Sequence, residues 1–120
     1  MLKNIIAKGW VSALAHITGG GIPGNLPRVL PRGMQAVIEL GSWPVLSIFA
    51  YLARLGQLER DELLRTFNLG VGMILAVSPG NLRSVESELK RRREKFYRIG
   101  EIRNADSRKP AVVFTGSLTI

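Results

Sequence analysis

An apolar run that stops at three consecutive glycines is the feature that most constrains the fold of this chain. The run covers residues 11–17, and Gly19, Gly20 and Gly21 follow it after one threonine. A mixed apolar run of this length predicts a buried strand. Glycine tolerates a positive φ and lets a ligand approach the backbone, because it has no Cβ. Residues 19–21, called the glycine loop below, are therefore either a tight turn or a ligand-binding loop.

A short helix is predicted behind the glycine loop, over residues 25–30. Asn25 and Pro27 mark its start and Pro31 its end. The unpaired N–H groups at a helix start suit an anion, phosphate above all. Arg28 would add a forked, charged donor in the first turn. Because the usual phosphate-loop signature ending in Gly-Lys-Ser/Thr is absent from the sequence, a P-loop nucleotide site is excluded.

Three further side chains are candidates for chemistry near this loop. His16 is the only histidine; it is either a hydrogen-bonded structural residue or a donor to a phosphoryl or carbonyl oxygen that can also move a proton. Thr18 either donates its hydroxyl to the same ligand or caps the strand end. Asn68 begins a second glycine-containing segment, 68–72. It is predicted at the rim of the same pocket, or else Asn68 or Gly70 is left-handed at a helix end.

The composition excludes several classes of site. The chain has no cysteine, which removes disulfides, thiolate metal sites and cysteine nucleophiles and fits a cytoplasmic protein. No apolar run approaches the roughly 20 residues of a membrane-spanning helix. The apolar stretch near the N-terminus is interrupted by charged residues too early to be a secretory signal. No cluster of histidine and carboxylates suggests a metal held by the protein, and no carboxylate pair is placed for acid–base catalysis.

The chain is strongly basic, with 17 Lys and Arg against 9 Asp and Glu, a net charge of +8 and a pI near 10.9. Basic patches can bind nucleic acid by neutralising phosphates. However, one cluster falls at the predicted C-terminal end of a helix, where cations complement the helix dipole: Lys90, Arg91, Arg92, Arg93 and Lys95. This position favours a solvated helix end over a nucleic-acid site. A more acidic partner domain could also balance the charge.

The order of predicted elements indicates one α/β (α+β) domain over residues 1–120. Strands are predicted over 11–17, 35–40, 71–77, 96–103 and 111–115, the last as a hairpin partner of the fourth. Helices are predicted over 25–30, 44–55 and 59–67, and after Asn81. The second of these helices has five apolar residues on one face: Val45, Ile48, Phe49, Leu52 and Leu55. We therefore expect one sheet with helices packed on it.

Two long strings carry a family resemblance. The first is 15–21 followed by 25–31, and the second is 65–73. Both resemble the C-terminal half of aminoimidazole ribonucleotide synthetase, also called phosphoribosylformylglycinamidine cyclo-ligase, a family of purine biosynthesis. Residues 42–49 are similar to the segment that links these strings in the family. The resemblance spans about residues 13–102.

The resemblance implies a layered domain with a mixed β-sheet flanked by helices, partly ferredoxin-like. It implies an ATP-dependent ring closure, with Mg²⁺, that converts formylglycinamidine ribonucleotide to aminoimidazole ribonucleotide. For this reaction we expect the glycine loop, Asn25 and Arg28 to hold the substrate or phosphoryl group, with Asn68 at the rim of the same pocket. We expect His16 and Thr18 to lie close to the reacting centre.

Family members are more than twice as long, with an N-terminal domain that carries much of the nucleotide site and the homodimer contact. We therefore expect this chain to be the second domain, excised or naturally truncated, and inactive without its partner domain. Three alternatives remain open: another enzyme of the superfamily, a small basic nucleic-acid-binding module, and a remnant without activity. The string 65–73 favours the cyclo-ligase.

Overall fold

The computed structural model describes residues 2–106, 111–118 and 120. The helices are α1 Lys3–Ala7, α2 Gly21–Asn25, α3 Ser47–Gly56, α4 Arg60–Thr66 and α5 Pro79–Arg91, with a 3-10 helix at Leu26–Val29. The strands are β1 Ala13–His16, β2 Met34–Leu40, β3 Met73–Ala76, β4 Gly100–Asn104 and β5 Ala111–Gly116. Over these residues, no helix has both the length and the apolar character needed to cross a membrane.

The strands form two sheets. β1 pairs antiparallel with β3, so that Ala13 lies opposite Ala76 and His16 opposite Met73. β2 is the central strand of a three-stranded mixed sheet, antiparallel to β4 and parallel to β5. This mixed sheet, flanked by helices, confirms the predicted α/β fold class. The expectation that all strands share one sheet is wrong.

The predicted hairpin between the last two strands is also wrong, because β5 pairs with β2 instead of β4. β2 buries Ala36, Ile38 and Leu40, so it suits a central position with a strand on each side. Every residue of β4 is exposed. A polar, exposed strand is suited to a sheet edge, which leaves β2 as the partner of β5.

The main core lies where the two sheets, the glycine-loop segment and α4 meet. Its buried members are Ala15, Ile17, Ile22, Leu26, Leu30, Ala36, Ile38, Leu40, Trp43, Leu64, Leu69 and Ile74. Phe49 packs against this cluster, with its ring centroid 5.7 Å from that of Phe67. A second cluster joins α1 to α5 through Ile5, Val85 and Leu89. The sequence predicts Leu82, Val85 and Leu89 on the inner face of α5, and the structure buries Val85 and Leu89 while Leu82 is half-buried.

The helix behind the glycine loop begins earlier than predicted. Gly20 has φ +97° at the N-cap of α2, and Gly21 has φ +63° as its first residue. These two positive φ angles turn the chain directly into α2, which ends at Asn25. Asn25 is also the N-cap of the 3-10 helix Leu26–Val29, so the predicted start behind Asn25 is confirmed for this shorter helix, with Pro27 in its first turn and Arg28 in its last.

Candidate functional site

Asn25 holds the glycine loop from the inside. Its buried side-chain nitrogen donates to the carbonyl oxygen of Gly21 at 2.8 Å, and its contacts with the carbonyl oxygens of Gly19 and Thr18 are longer, at 3.2 and 3.3 Å. Its side-chain oxygen accepts from the Thr18 hydroxyl at 3.4 Å. An amide has only two N–H donors, so the two longer contacts share one hydrogen. The structure thus assigns Asn25 to shaping the loop, and direct substrate binding by Asn25 stays a prediction.

The three glycines of the loop have different structural requirements. A Cβ on Gly21 would collide with the carbonyl oxygen of Leu64 and lie 2.9 Å from that of Phe67. Gly21 is therefore required where α2 packs against α4. Gly20 is required for its positive φ. Gly19 is exposed, and a Cβ there would meet nothing within 4 Å.

A second loop, residues 68–72, is tied to the end of β1. The Asn68 side-chain nitrogen donates to the carbonyl oxygen of Ile17 at 3.5 Å, across 51 positions of sequence. The Ile17 N–H donates to the Gly72 carbonyl oxygen at 2.9 Å. The Asn68 side-chain oxygen in turn accepts from the Gly70 N–H at 2.9 Å. Asn68 is therefore beside the residue that precedes Thr18.

Leu69 is a member of the second loop that sequence reasoning missed. It is buried, yet its φ is +51°, and Gly70 follows with φ +94°. The prediction of a left-handed residue at Asn68 or Gly70 is confirmed at Gly70. A left-handed conformation costs a non-glycine residue about 1–2 kcal/mol. The Trp43 indole N–H donates to the Leu69 carbonyl oxygen at 3.0 Å and helps to hold this turn; a buried tryptophan's need for an acceptor was the available signal.

The remaining predicted site residues are exposed. His16 ends β1 beside Met73, and Thr18 follows two residues later. Together with Gly19 and the second loop, they form one open edge of the domain. Arg28 is exposed in the 3-10 helix and forms no salt bridge within the described ranges. The structure thus brings together His16, Thr18 and Asn68. Arg28 is not part of this group, because it lies in the 3-10 helix that follows Asn25.

Residues 1–112 match the family described as AIR synthase related protein, C-terminal domain. The chain belongs to this family. It is 54% identical over 104 residues to the bifunctional purine biosynthetic protein purD of Dictyostelium discoideum, a match that covers 87% of this chain and 13% of that protein. It is 40% identical over 114 residues to the phosphoribosylformylglycinamidine cyclo-ligase of Lactobacillus helveticus, covering 95% and 33%. The cyclo-ligase of Brevibacillus brevis is 50% identical over 106 residues, covering 88% and 30%.

These matches confirm the resemblance drawn from the two strings. They also show that this AIR synthase-related domain spans only 13–33% of the length of these relatives. The relatives therefore contain large regions that have no counterpart in this chain.

A cavity of this AIR synthase-related domain lies away from the glycine loop. It has a volume of about 800 Å³ and lies between β3, α5 and residues 94–102. It reaches Gly70 and Gly72 of the second loop but none of the predicted site residues. The candidate site is thus an open edge rather than an enclosed pocket.

The donors at this edge suit a phosphate more than a metal ion. Thr18 offers a hydroxyl and Gly19 an open backbone, whereas the described residues include no group of three His, Asp or Glu side chains that could hold a metal ion.

The basic end of α5 is partly neutralised within the domain. The Glu88 carboxylate accepts from Arg91 at 2.7 and 3.1 Å and from Arg92 at 2.8 Å. These hydrogen bonds, from Arg91 first and then Arg92, lower the pKa of Glu88 from 4.5 to about 2. Arg98 pairs with Glu86 in the same way and lowers its pKa. Two of the five clustered cations thus stabilise α5 itself.

Proposed function

We propose that this chain is the C-terminal part of an ATP-dependent cyclo-ligase that converts formylglycinamidine ribonucleotide to aminoimidazole ribonucleotide in purine biosynthesis. Family membership and relatives named phosphoribosylformylglycinamidine cyclo-ligase support this proposal. The observation that carries it is the contact of Asn68 in the second loop with Ile17, which lies between β1 and the glycine loop. This contact gathers exposed donors at one edge, as a ligand site requires.

The reaction has two chemical steps. The formyl oxygen of the substrate takes a phosphoryl group from ATP, which leaves as ADP. An amidine nitrogen then attacks the carbon of the phosphorylated formyl group, and phosphate departs as the ring closes. Charge handling dominates such transfers, so positioned N–H and O–H donors and fixed cations are the groups expected at the site.

Each predicted residue takes a part that its position allows. The Thr18 hydroxyl turns from its 3.4 Å contact with the Asn25 side-chain oxygen to the phosphoryl oxygens, which the open backbone of Gly19 also binds, and Arg28 attracts the substrate phosphate. His16 donates to the reacting oxygen or removes the amidine proton. Asn25 and Asn68 keep the two loops in place. Magnesium chelated by ATP phosphates is expected, but no step here is assigned to it.

The chain is proposed to be inactive by itself. Small-molecule sites bury roughly 70–90% of the ligand surface, whereas His16, Thr18 and Gly19 are all exposed here. The missing walls of the site, most of the ATP site and the homodimer contact are proposed to come from the N-terminal region of the longer enzymes. We propose a cytoplasmic location for the assembled enzyme.

Calorimetric titration tests this function directly. The chain would be titrated with formylglycinamidine ribonucleotide, with and without ATP and Mg²⁺, and then again with the remaining region of the Lactobacillus helveticus relative added. We expect binding that Arg28→Ala weakens and turnover only in the mixture. Arg83→Ala, an exposed arginine on α5, is the matched control. Absence of binding in every mixture would overturn the proposal.

The nucleic-acid alternative has weaker support from the structure. Its basis was the cluster at the end of α5, yet Arg91 and Arg92 are committed to Glu88. Lys90, Arg93 and Lys95 remain exposed. Salt-dependent binding to DNA or RNA that is lost when these three residues are neutralised would revive it.

A further inference from the structure

Helix α3 presents an apolar face to solvent. Ile48, Tyr51 and Leu55 are 51, 55 and 70% exposed and follow the i, i+3, i+7 spacing of one helix face. Leu46, directly before the helix, is 59% exposed. None of the ten residues of α3 is buried. The expected inner face is therefore wrong for Ile48 and Leu55. We call Leu46, Ile48, Tyr51 and Leu55 the α3 stripe.

Leu46, at one end of the α3 stripe, lies next to the second loop. The Cγ atom of Leu46 would be 3.9 Å from a Cβ on Gly70, and Gly70 donates to Asn68, whose side chain reaches Ile17. A partner that covers Leu46 would therefore contact the second loop. The same edge holds site residues that are open to solvent.

A second copy of this chain, paired through the α3 stripe, would bury too little area for a stable interface. A helix of ten residues is about 15 Å long. Paired through four side chains, it falls short of the roughly 1,200 Å² that a stable interface buries. In the relatives, by contrast, two thirds or more of their own length lies outside the match to this chain. The net charge of +8 on this domain favours an acidic partner.

We propose that the α3 stripe is the docking surface for an acidic globular region, the part of the longer relatives that lies outside their match to this chain. This inference rests on the proposed function, because it names the surface through which the partner region reaches the open edge of the candidate site and completes it. Docking removes the four apolar side chains from water and places the partner beside the second loop. The interface and the open edge of the site are thus adjacent parts of one surface.

Hydroxyl-radical footprinting of the two tyrosines tests this proposal. The chain is labelled alone and as a fusion to the region of the Lactobacillus helveticus relative outside the match, after the fusion is shown to unfold cooperatively. Tyr97 is the matched control, since it is 48% exposed against 55% for Tyr51. We expect the labelling rate of Tyr51 to fall about fivefold in the fusion, as interface cores pack like protein interiors, and that of Tyr97 to stay unchanged.

Two variants separate docking from catalysis. Leu55→Asp in the fusion should restore the labelling of Tyr51, whereas Arg28→Ala should leave it protected even if turnover is lost. Unchanged labelling of Tyr51 in a cooperatively unfolding fusion would overturn the proposal. Protection of Tyr51 in the chain alone that grows with its concentration would also overturn it, because a second copy would then be the occupant.

Discussion

The indole N–H of Trp43 donates to the carbonyl oxygen of Leu69, which lies 26 residues further along the chain, at a distance of 3.0 Å. Both residues are buried, and Leu69 is left-handed. The bond joins the end of β2 to the second loop. It therefore stabilises a turn that a leucine would not adopt by itself.

Trp43→Phe should lower the free energy of unfolding by about 1–3 kcal/mol, because it leaves a buried carbonyl without its donor. Chemical denaturation measures this loss. Trp10→Phe is the control, since Trp10 is only half-buried and should lose less. Equal losses in the two variants would mean that the hydrogen bond contributes little.

Asn25→Asp should destabilise the domain by about 3 kcal/mol, because a buried carboxylate cannot donate to the loop carbonyls and would face them unpaired. Thermal unfolding gives the measurement. Asn81→Asp, in the exposed first turn of α5, should be neutral or slightly stabilising near the helix N-terminus. A stable Asn25→Asp variant with weakened ligand binding would instead favour a direct binding role.

Gly21→Ala and Gly19→Ala should separate packing from ligand binding. Gly21→Ala should cost about 3 kcal/mol or more, because the new methyl group meets the backbone of α4 at a positive φ. Gly19→Ala has open space around it and should keep the stability while weakening ligand binding. Denaturation and calorimetry of the two variants provide the test. A stable Gly21→Ala protein would contradict the tight packing of α2 on α4.

Acid should destabilise the domain through Glu88. Its folded pKa, about 2, lies below the ordinary value of 4.5, so its stabilising effect is complete above 4.5 and is lost as the pH falls toward 2. The free energy of unfolding should therefore decline over this range, and less steeply in Glu88→Gln. An identical pH profile for the two proteins would show that the pairs with Arg91 and Arg92 do not stabilise the fold.

Local patterns predicted much of this fold because they act over a few residues. The alternation in β2, the apolar run at β3 and the inner face of α5 each come from periodic burial that is visible in the chain. The pairing of β5 with β2 was missed, because strand order depends on which strand can be covered on both sides. The exposed, polar character of β4 places it at an edge of the sheet, but this follows only when all the strands are compared for the central position.

In the candidate site, the residues could be predicted from the sequence, but the contacts between them could not. The glycine loop, His16, Thr18 and Asn68 were visible as residue types in long, specific strings. That Asn25 faces the loop carbonyls depended on the positive φ angles of the turn at Gly20 and Gly21. That Asn68 reaches Ile17 depended on a contact across 51 positions of sequence. The exposed stripe on α3 reversed a sequence prediction for a related reason: an apolar face shows that a partner is needed, without showing where it lies.

By itself, the sequence determined the family, through two long strings that resemble it. It also determined the α/β class and the position of a glycine turn after the first strand, since these two depend on residue type and spacing along the chain. Only the tertiary structure decided which glycine is sterically required, which asparagine shapes the loop and which helix face stays open. These properties depend on which backbone atoms approach within a few ångströms after the chain has folded, and residue spacing does not encode that distance.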